Sequence, residues 1–334
     1  MARDSRRALP LIGPPRPPHQ PAACRSNVII LHSRRLRQED RAMRYIVSLG
    51  LVGAVMALAS GPDLAASPLR LVAAENFYGD LARQIGGGQV ETVSIISNPD
   101  QDPHLFETSP TVVRRIADAR IVIYNGAGYD PWMDKLLKAV PRPDRRVINV
   151  ADLMGKTLGD NPHLWYDPST MPKAARALAD ALTEADPAHR RDYAARLRTF
   201  LESLEPLNDR IVAISARYAG TPVTASEPVF GYMAAALKLT MRNERLQLAI
   251  MNDTEPSAAD IAAFEDDLRS HRVRVMFYNK QAVNDLVRRL VAMARKSNIP
   301  VVGVTETAPP GQDYVQWMLS ELDATEKALA LASP

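Results

Sequence analysis

Residues 69–96 read LRLVAAENFYGDLARQIGGGQVETVSII, and this stretch decides the fold class. An apolar run at 69–73 precedes helically spaced apolar residues at 77–85, and a second β-type run follows at 90–96. The glycine triplet between them comes after the predicted helix, where glycine commonly ends a helix, so it is not a phosphate-binding loop that opens one. A strand, a helix and a strand in succession indicate one unit of a parallel sheet.

The same alternation continues along the chain. Further strands are predicted at 120–125, 146–150, 222–226, 246–251, 273–279 and 300–306, and further helices at 111–119, 131–140, 229–237, 257–270, 281–297 and 314–332. From 171 to 219 only helical spacing is found, with an interruption at Asp186-Pro187. We therefore predict an α/β protein in which two βα lobes with parallel sheets are joined by one long connecting helix.

The first 66 residues differ from the rest. Residues 1–42 contain many Arg and Pro and show no hydrophobic period, so we expect a spurious or disordered extension. Met43-Arg44 then opens an apolar run of about 15 residues that ends in small residues, which is typical of a secretory signal peptide over 43–66 and short for a membrane span. An uncleaved membrane anchor is the alternative.

These boundaries predict a periplasmic mature chain with three parts. The expected parts are an N-terminal metal-binding lobe at 67–187, a long linking helix at 188–219 and a C-terminal metal-binding lobe at 220–334.

Charge and cysteine content exclude several classes of protein. The whole chain has 41 Lys and Arg, 38 Asp and Glu and a net charge of +3. Residues 1–66 hold ten of the basic and four of the acidic residues, so the remainder holds 31 and 34 and has a net charge of −3. The single cysteine, Cys24, also lies in that leader. The mature chain therefore has no thiolate ligand, no disulfide and no basic excess for nucleic acid.

Four residues with metal-ligating side chains lie near the ends of predicted strands. His104 and His163 lie in loops after strands of the first lobe, and Glu227 and Glu306 end or follow strands of the second. Ligands of open parallel sheets bind outside the carboxyl ends of the strands. Two imidazoles and two carboxylates suit one divalent cation.

The two histidines share a sequence setting, DPHLF around His104 and NPHLW around His163. A loop histidine is usually a surface or capping residue, but this repetition favours ligation, and the preceding prolines restrict the backbone that presents each ring. Two alternatives stay open for the acids. Glu227 could instead stabilise the start of the next helix, and Glu306 could be a solvated loop acid.

Other residues are expected to support the site without binding the ion. Trp165 and Phe106 are predicted to pack beside the pocket. Asp167 is predicted to cap the next helix or to support His163, and Asn279 is a further candidate for support. No catalytic residue is predicted.

Five segments together carry a resemblance to a known family. They are DPHLFETSP, NPHLWYDP, SEPVFGYMA, NDTEPSAADIAAFEDDL and VTETAPPGQDYVQWM. The chain over 68–334 resembles the zinc/manganese-type (cluster A-I) solute-binding proteins of bacterial metal ABC importers. The resemblance implies that His104, His163, Glu227 and Glu306 bind Mn²⁺ or Zn²⁺ as cargo. It also implies a monomer that delivers the ion to an ABC transporter permease in the inner membrane.

Three departures from the patterns usual in this family bear on the metal. The loop at 151–161 contains no histidine, where zinc members often carry a histidine-rich loop. Glu227 stands where zinc members commonly have histidine, and Glu306 where aspartate is usual in the manganese or iron branch. A set of nitrogen and carboxylate ligands favours Mn²⁺, although Zn²⁺ accepts the same ligands.

Two other functions use the same residues. A secreted metal-dependent hydrolase needs an open metal position for water and a nearby base, and four protein ligands leave little room for either. An adhesin or scaffold with a structural metal would unfold on chelation. The pattern favours a binding protein that is not an enzyme.

Overall fold

Two four-stranded parallel sheets organise the chain, in a computed structural model that describes residues 68–98, 103 and 106–332. The strands are β1 (Leu69–Glu75), β2 (Val90–Ile96), β3 (Ile121–Tyr124), β4 (Arg146–Asn149), β5 (Pro222–Ala225), β6 (Thr240–Arg242), β7 (Val275–Asn279) and β8 (Val301–Val304). The α-helices are α1 (Asn76–Gly86), α2 (Pro110–Asp118), α3 (Pro131–Ala139), α4 (Val150–Met154), α5 (Thr170–Ala185), α6 (Arg190–Ser203), α7 (Glu205–Tyr218), α8 (Gly231–Ala236), α9 (Glu244–Met251), α10 (Ala258–Arg269), α11 (Asp285–Lys296) and α12 (Tyr314–Leu331).

The two sheets have the same topology. Their strand orders are β2-β1-β3-β4 and β6-β5-β7-β8, and every pairing is parallel. The predicted α/β class with two βα lobes is therefore confirmed. In each sheet the order reverses beside the first strand of the lobe, so a crevice is expected outside the carboxyl ends of β1 and β3, and of β5 and β7.

The segment predicted as one linking helix at 188–219 consists of two consecutive helices, α6 and α7, interrupted at Leu204. Pro206, the second residue of α7, has no N–H with which to continue the helical hydrogen-bond ladder. The Leu204 N–H instead reaches the carbonyl of Leu201, three residues back. The connection is thus helical on both sides of one irregular residue.

The predicted strand at 246–251 is wrong. Residues 244–251 form helix α9, and the edge strand of the second sheet is the three-residue β6 at 240–242. The alternating residues of LQLAIM suggested a strand, but nearly all residues of ERLQLAIM are good helix formers. The real strand is short and largely exposed, so it carries no apolar pattern.

Aromatic side chains join the two lobes into one continuous hydrophobic core. The ring of Tyr166, from the first lobe, lies 5.4 Å from Phe230 and 5.8 Å from Trp317, both from the second. The ring of Phe77 in α1 lies 5.9 Å from Trp317. Large hydrophobic contacts between domains oppose their relative motion. We therefore expect these lobes to move little.

The predicted extension and signal peptide, 1–66, lie outside the described residues, and the lobe boundaries stay predictions. Among the helices that the structure describes, none combines the length and the apolar character that crossing a membrane requires.

Candidate metal centre

Three of the four predicted ligands lie together at the carboxyl ends of the two sheets. His163, Glu227 and Glu306 each offer a ligand atom, and these atoms all lie within 4.8 Å of one another. Their side chains are buried, with relative exposures of 0%, 4% and 0%. His104 lies outside the described residues, so its position relative to this group stays a prediction.

The backbone after β4 and α4 presents His163. Asn161 accepts hydrogen bonds through Oδ1 from the His163 backbone N–H at 3.1 Å and lies 2.7 Å from the ring Nδ1. Asn125, which follows β3, donates to the carbonyl of Pro162 at 2.7 Å and accepts from the Tyr78 hydroxyl at 2.9 Å. The loop that carries His163 is therefore held by Asn161 within the loop and by Asn125 just after β3.

Asn279, the last residue of β7, connects the two glutamates. Its side-chain amide donates to Glu227 Oε2 at 3.1 Å and also to Glu306 Oε1. Its backbone N–H donates to the Ser226 hydroxyl at 3.2 Å, which holds the strand ends in register. A donor shared between two acids fixes their orientation; the supporting role of Asn279 at a metal site stays a prediction.

The loop that carries Glu306 is held by residues of both lobes. Within the second lobe, the Gln281 side chain accepts from the Glu306 backbone N–H at 2.6 Å. From the first lobe, Asn76 donates to the Ala308 carbonyl at 2.8 Å and accepts from the Ala308 N–H at 3.1 Å. The Tyr166 hydroxyl donates to the Thr305 carbonyl at 2.8 Å. The first lobe therefore helps to position Glu306, a candidate ligand from the second lobe.

Trp165 forms an apolar wall beside His163. Its side chain is fully buried, with ring centroids 5.4 Å from His163, 4.9 Å from Tyr129 and 4.7 Å from Phe77. An apolar wall lowers the local dielectric and strengthens the attraction between a cation and its carboxylates.

The structure records other contacts for the two remaining predicted neighbours. Phe106 packs on Trp132, with ring centroids 4.6 Å apart. The Asp167 carboxylate accepts hydrogen bonds from the Ser169 N–H and hydroxyl, both at 2.8 Å, in the turn before α5. Asn161, rather than Asp167, lies at hydrogen-bond distance from the His163 ring Nδ1.

Sequence reasoning missed a pair of buried acids behind the cluster. Burial raises the pKa of Glu75, the last residue of β1, well above its ordinary value, and the charge of Asp130 raises it further. Burial also raises the pKa of Asp130 to about 6. Asp130 accepts the backbone N–H groups of Asn125 and Gly126 at 2.7 and 2.8 Å, which stabilise its ionised form. We therefore infer that the shared proton lies on Glu75.

Tyr129 lies between these acids and the cluster. Burial raises the pKa of the Tyr129 hydroxyl well above its ordinary value, and the charges of Glu306 and Glu75 raise it further. The hydroxyl is therefore neutral at physiological pH. The signal for Glu75 was present in the sequence, since it is an acid at the end of a buried strand, but the predicted strand ended at Ala73.

This arrangement of donors suits a divalent cation. Two buried carboxylates close together repel each other, and each loses its hydration. A bound cation of charge +2 offsets both costs and inverts the local electrostatics. One imidazole and two carboxylates match the nitrogen and oxygen donors that Zn²⁺ and Mn²⁺ accept.

The chain matches a family of known proteins over most of its length. Residues 71–328 match the family model described as zinc-uptake complex component A, periplasmic. The metal ABC transporter substrate-binding lipoprotein ScbA of Streptococcus cristatus is 24% identical over 292 residues, covering 81% of this chain and 92% of that protein. The manganese ABC transporter substrate-binding lipoprotein PsaA of Streptococcus mitis is 25% identical over 301 residues, covering 83% and 94%.

A solved structure shares the fold. The periplasmic zinc-binding protein TroA from Treponema pallidum superposes with a TM-score of 0.66 at 18% identity, covering 79% of this chain and 99% of that one. The family match over 71–328 confirms the resemblance in the motifs, and the relatives agree with it: the chain belongs to the family of zinc-uptake component A proteins, the metal-binding solute-binding proteins of ABC importers.

Proposed function

We propose that this protein binds one divalent metal ion, Mn²⁺ or Zn²⁺, between its two lobes and delivers it to the permease of an ABC importer. The ion is the cargo. We further propose that the chain acts as a monomer in the periplasm, after export through the signal peptide predicted at 43–66, and that its permease lies in the inner membrane.

The observation that carries this proposal is the buried cluster of His163, Glu227 and Glu306, whose ligand atoms lie within 4.8 Å of one another. The first lobe supplies the histidine and the second supplies both acids. We propose these three residues as ligands, with His104 as the fourth. An ion held between two lobes can be released when the lobes or their loops shift slightly, which suits a carrier.

The ligand set supports Mn²⁺ or Zn²⁺ without deciding between them. Carboxylates favour harder ions such as Mn²⁺, whereas Zn²⁺ generally binds the same nitrogen and oxygen donors more tightly. The relatives include a manganese ABC transporter substrate-binding lipoprotein, and one similar structure is a periplasmic zinc-binding protein. Which ion this chain prefers is therefore a question for titration.

The contacts between the lobes support release by small movements. Asn76 holds the Glu306 loop through Ala308, and the Tyr314 hydroxyl donates to the Trp165 carbonyl at 2.7 Å. Wide opening would break these bonds and expose the shared aromatic core. We expect tilts and loop shifts in place of hinge closure.

Elemental analysis of the purified chain, followed by chelation and titration with Mn²⁺ and Zn²⁺, tests this function. We expect one ion per chain and saturable rebinding to the emptied protein. Glu202→Gln, an exposed position on α6, is the matched control for substitutions of the site glutamates. No binding of either ion to the wild-type chain would contradict the proposal.

A further inference from the structure

Asn161 occupies a special position in the cluster, because its side chain contacts both lobes. Its Oδ1 lies 2.7 Å from the ring Nδ1 of His163 and accepts the His163 backbone N–H at 3.1 Å. Its Nδ2 donates to the carbonyl of Pro228 at 2.8 Å. Pro228 directly follows Glu227, so one amide joins the loops that carry a histidine and a glutamate.

These partners determine which way the Asn161 amide points. The His163 backbone N–H can only donate, and the Pro228 carbonyl can only accept. The oxygen must therefore face His163 and the nitrogen must face Pro228. An amide oxygen can only accept, so the ring Nδ1 of His163 must carry a proton. In the neutral ring, Nε2 is then the unprotonated nitrogen, which is the form that can bind a metal ion.

A second bond strengthens the same connection between the lobes. The Tyr232 hydroxyl, in α8, donates to the backbone carbonyl of Asn161 at 2.8 Å. A Cβ atom on Gly231 would lie 3.0 Å from Asn161 Nδ2, a close approach that glycine makes easy. The start of α8 thus lies directly against the histidine loop.

We propose that Asn161 is a positioning residue with two effects: it sets the protonation of His163, and it ties the histidine loop to the Glu227 loop. Metal affinity then depends on the hydrogen bond between Asn161 and Pro228, two residues that do not bind the ion themselves. This inference rests on the proposed function, because it assigns how that metal site is assembled.

Nuclear magnetic resonance of the metal-free protein tests the first effect, since long-range proton–nitrogen correlations distinguish the two neutral histidine forms. We expect the Nδ1–H form of His163 in the wild type and in Asn161→Asp, which keeps the acceptor. Asn161→Ala removes the acceptor, and a mixture of forms is expected. Exclusive Nδ1–H in Asn161→Ala would overturn this part.

Titration with Mn²⁺ and Zn²⁺ tests the second effect. Asn161→Ala should weaken binding by about 10- to 100-fold, which is the usual effect of removing a group that holds a metal-binding histidine. Tyr232→Phe should weaken it by about two- to tenfold while the histidine form stays unchanged. Tyr193→Phe is the matched control, because it removes a hydroxyl bonded to Asp186 at 2.7 Å, remote in sequence from the ligands.

Each result discriminates between the claims. Wild-type affinity in both Tyr232→Phe and Asn161→Asp, which lacks the N–H donor to the Pro228 carbonyl, would overturn the tie between the loops, even if Asn161→Ala fails to fold. If the wild type binds neither ion, the proposed function fails, and the histidine spectra still decide the role of Asn161 at His163.

Discussion

The Nε2 atom of His163 lies 3.8 Å from the Oε2 atom of Glu306, and both side chains are fully buried. The separation is longer than a hydrogen bond. Metal bonds to imidazole nitrogen and carboxylate oxygen are about 2.0–2.2 Å long, so one ion can contact both atoms. The two atoms come from different sheets, so the ion would bridge the lobes.

Substitution of a ligand should weaken binding more than substitution of a supporting residue. His163→Ala, Glu227→Gln and Glu306→Gln should each reduce affinity by more than the 10- to 100-fold typical of supporting residues, because a metal bond is lost. Isothermal titration with Mn²⁺ and Zn²⁺ measures this. The exposed His271→Asn is the control, and Asn tolerates its backbone φ of 50°. Wild-type affinity in any ligand variant would remove that residue from the site.

Chelation should leave the protein folded. The two sheets and their shared aromatic core do not depend on the ion, so far-ultraviolet circular dichroism should not change. Metal at a hundredfold excess over its dissociation constant should add about 2.7 kcal/mol to the free energy of unfolding by mass action. Calorimetry with and without chelator measures both effects. Unfolding on chelation would instead support a structural metal.

Asn76→Ala should loosen the loop that carries Glu306. The substitution removes two hydrogen bonds to Ala308, of 2.8 and 3.1 Å, and should cost about 1–3 kcal/mol of stability. Hydrogen exchange at the Ala308 amide should accelerate, and metal affinity should fall. Asn208→Ala, on the exposed face of α7, is the control. Unchanged exchange at Ala308 would show that the first lobe does not hold this loop.

Glu75→Gln should flatten the pH dependence of stability. Burial raises the pKa of Glu75 in the folded chain above its ordinary value of 4.5. Below that value the group is protonated in both states. As pH rises, the unfolded chain ionises first, so the free energy of unfolding falls. Glutamine mimics the protonated acid and removes this loss.

Denaturant titrations at pH 5 and pH 8 compare the two proteins. The variant should gain stability relative to wild type at pH 8, because it lacks the loss that the raised pKa of Glu75 causes. Asp130, the other buried acid of the pair, is present in both proteins. Exposed Glu202→Gln should parallel the wild type. A variant that loses stability as the pH rises, in step with wild type, would show that Glu75 is not held protonated by its burial.

The sequence predicted most of the fold because buried strands and amphipathic helices alternate clearly. It failed at β6, an edge strand of only three residues whose first and last residues are exposed, and at Leu204, where the missing N–H of Pro206 interrupts a helical pattern. Local patterns do not report such features. Their structure is decided by pairing with a neighbour or by a single hydrogen bond.

The candidate site was predictable only in part. Strand-end position identified His163, Glu227 and Glu306, since parallel strands deliver their ends to one edge. Asn161 was missed because its importance comes from a contact with Pro228, 67 residues away. Glu75 was missed because the predicted strand stopped two residues early. Contacts between lobes cannot be read from the spacing of residues along either one.

Crystals grown with Mn²⁺ and measured near the manganese absorption edge test the central claim most directly. The account predicts one strong anomalous peak per chain, about 2.0–2.4 Å from His163 Nε2 and from carboxylate oxygens of Glu227 and Glu306. A peak elsewhere, or no peak in a chain that has bound manganese in solution, would contradict it.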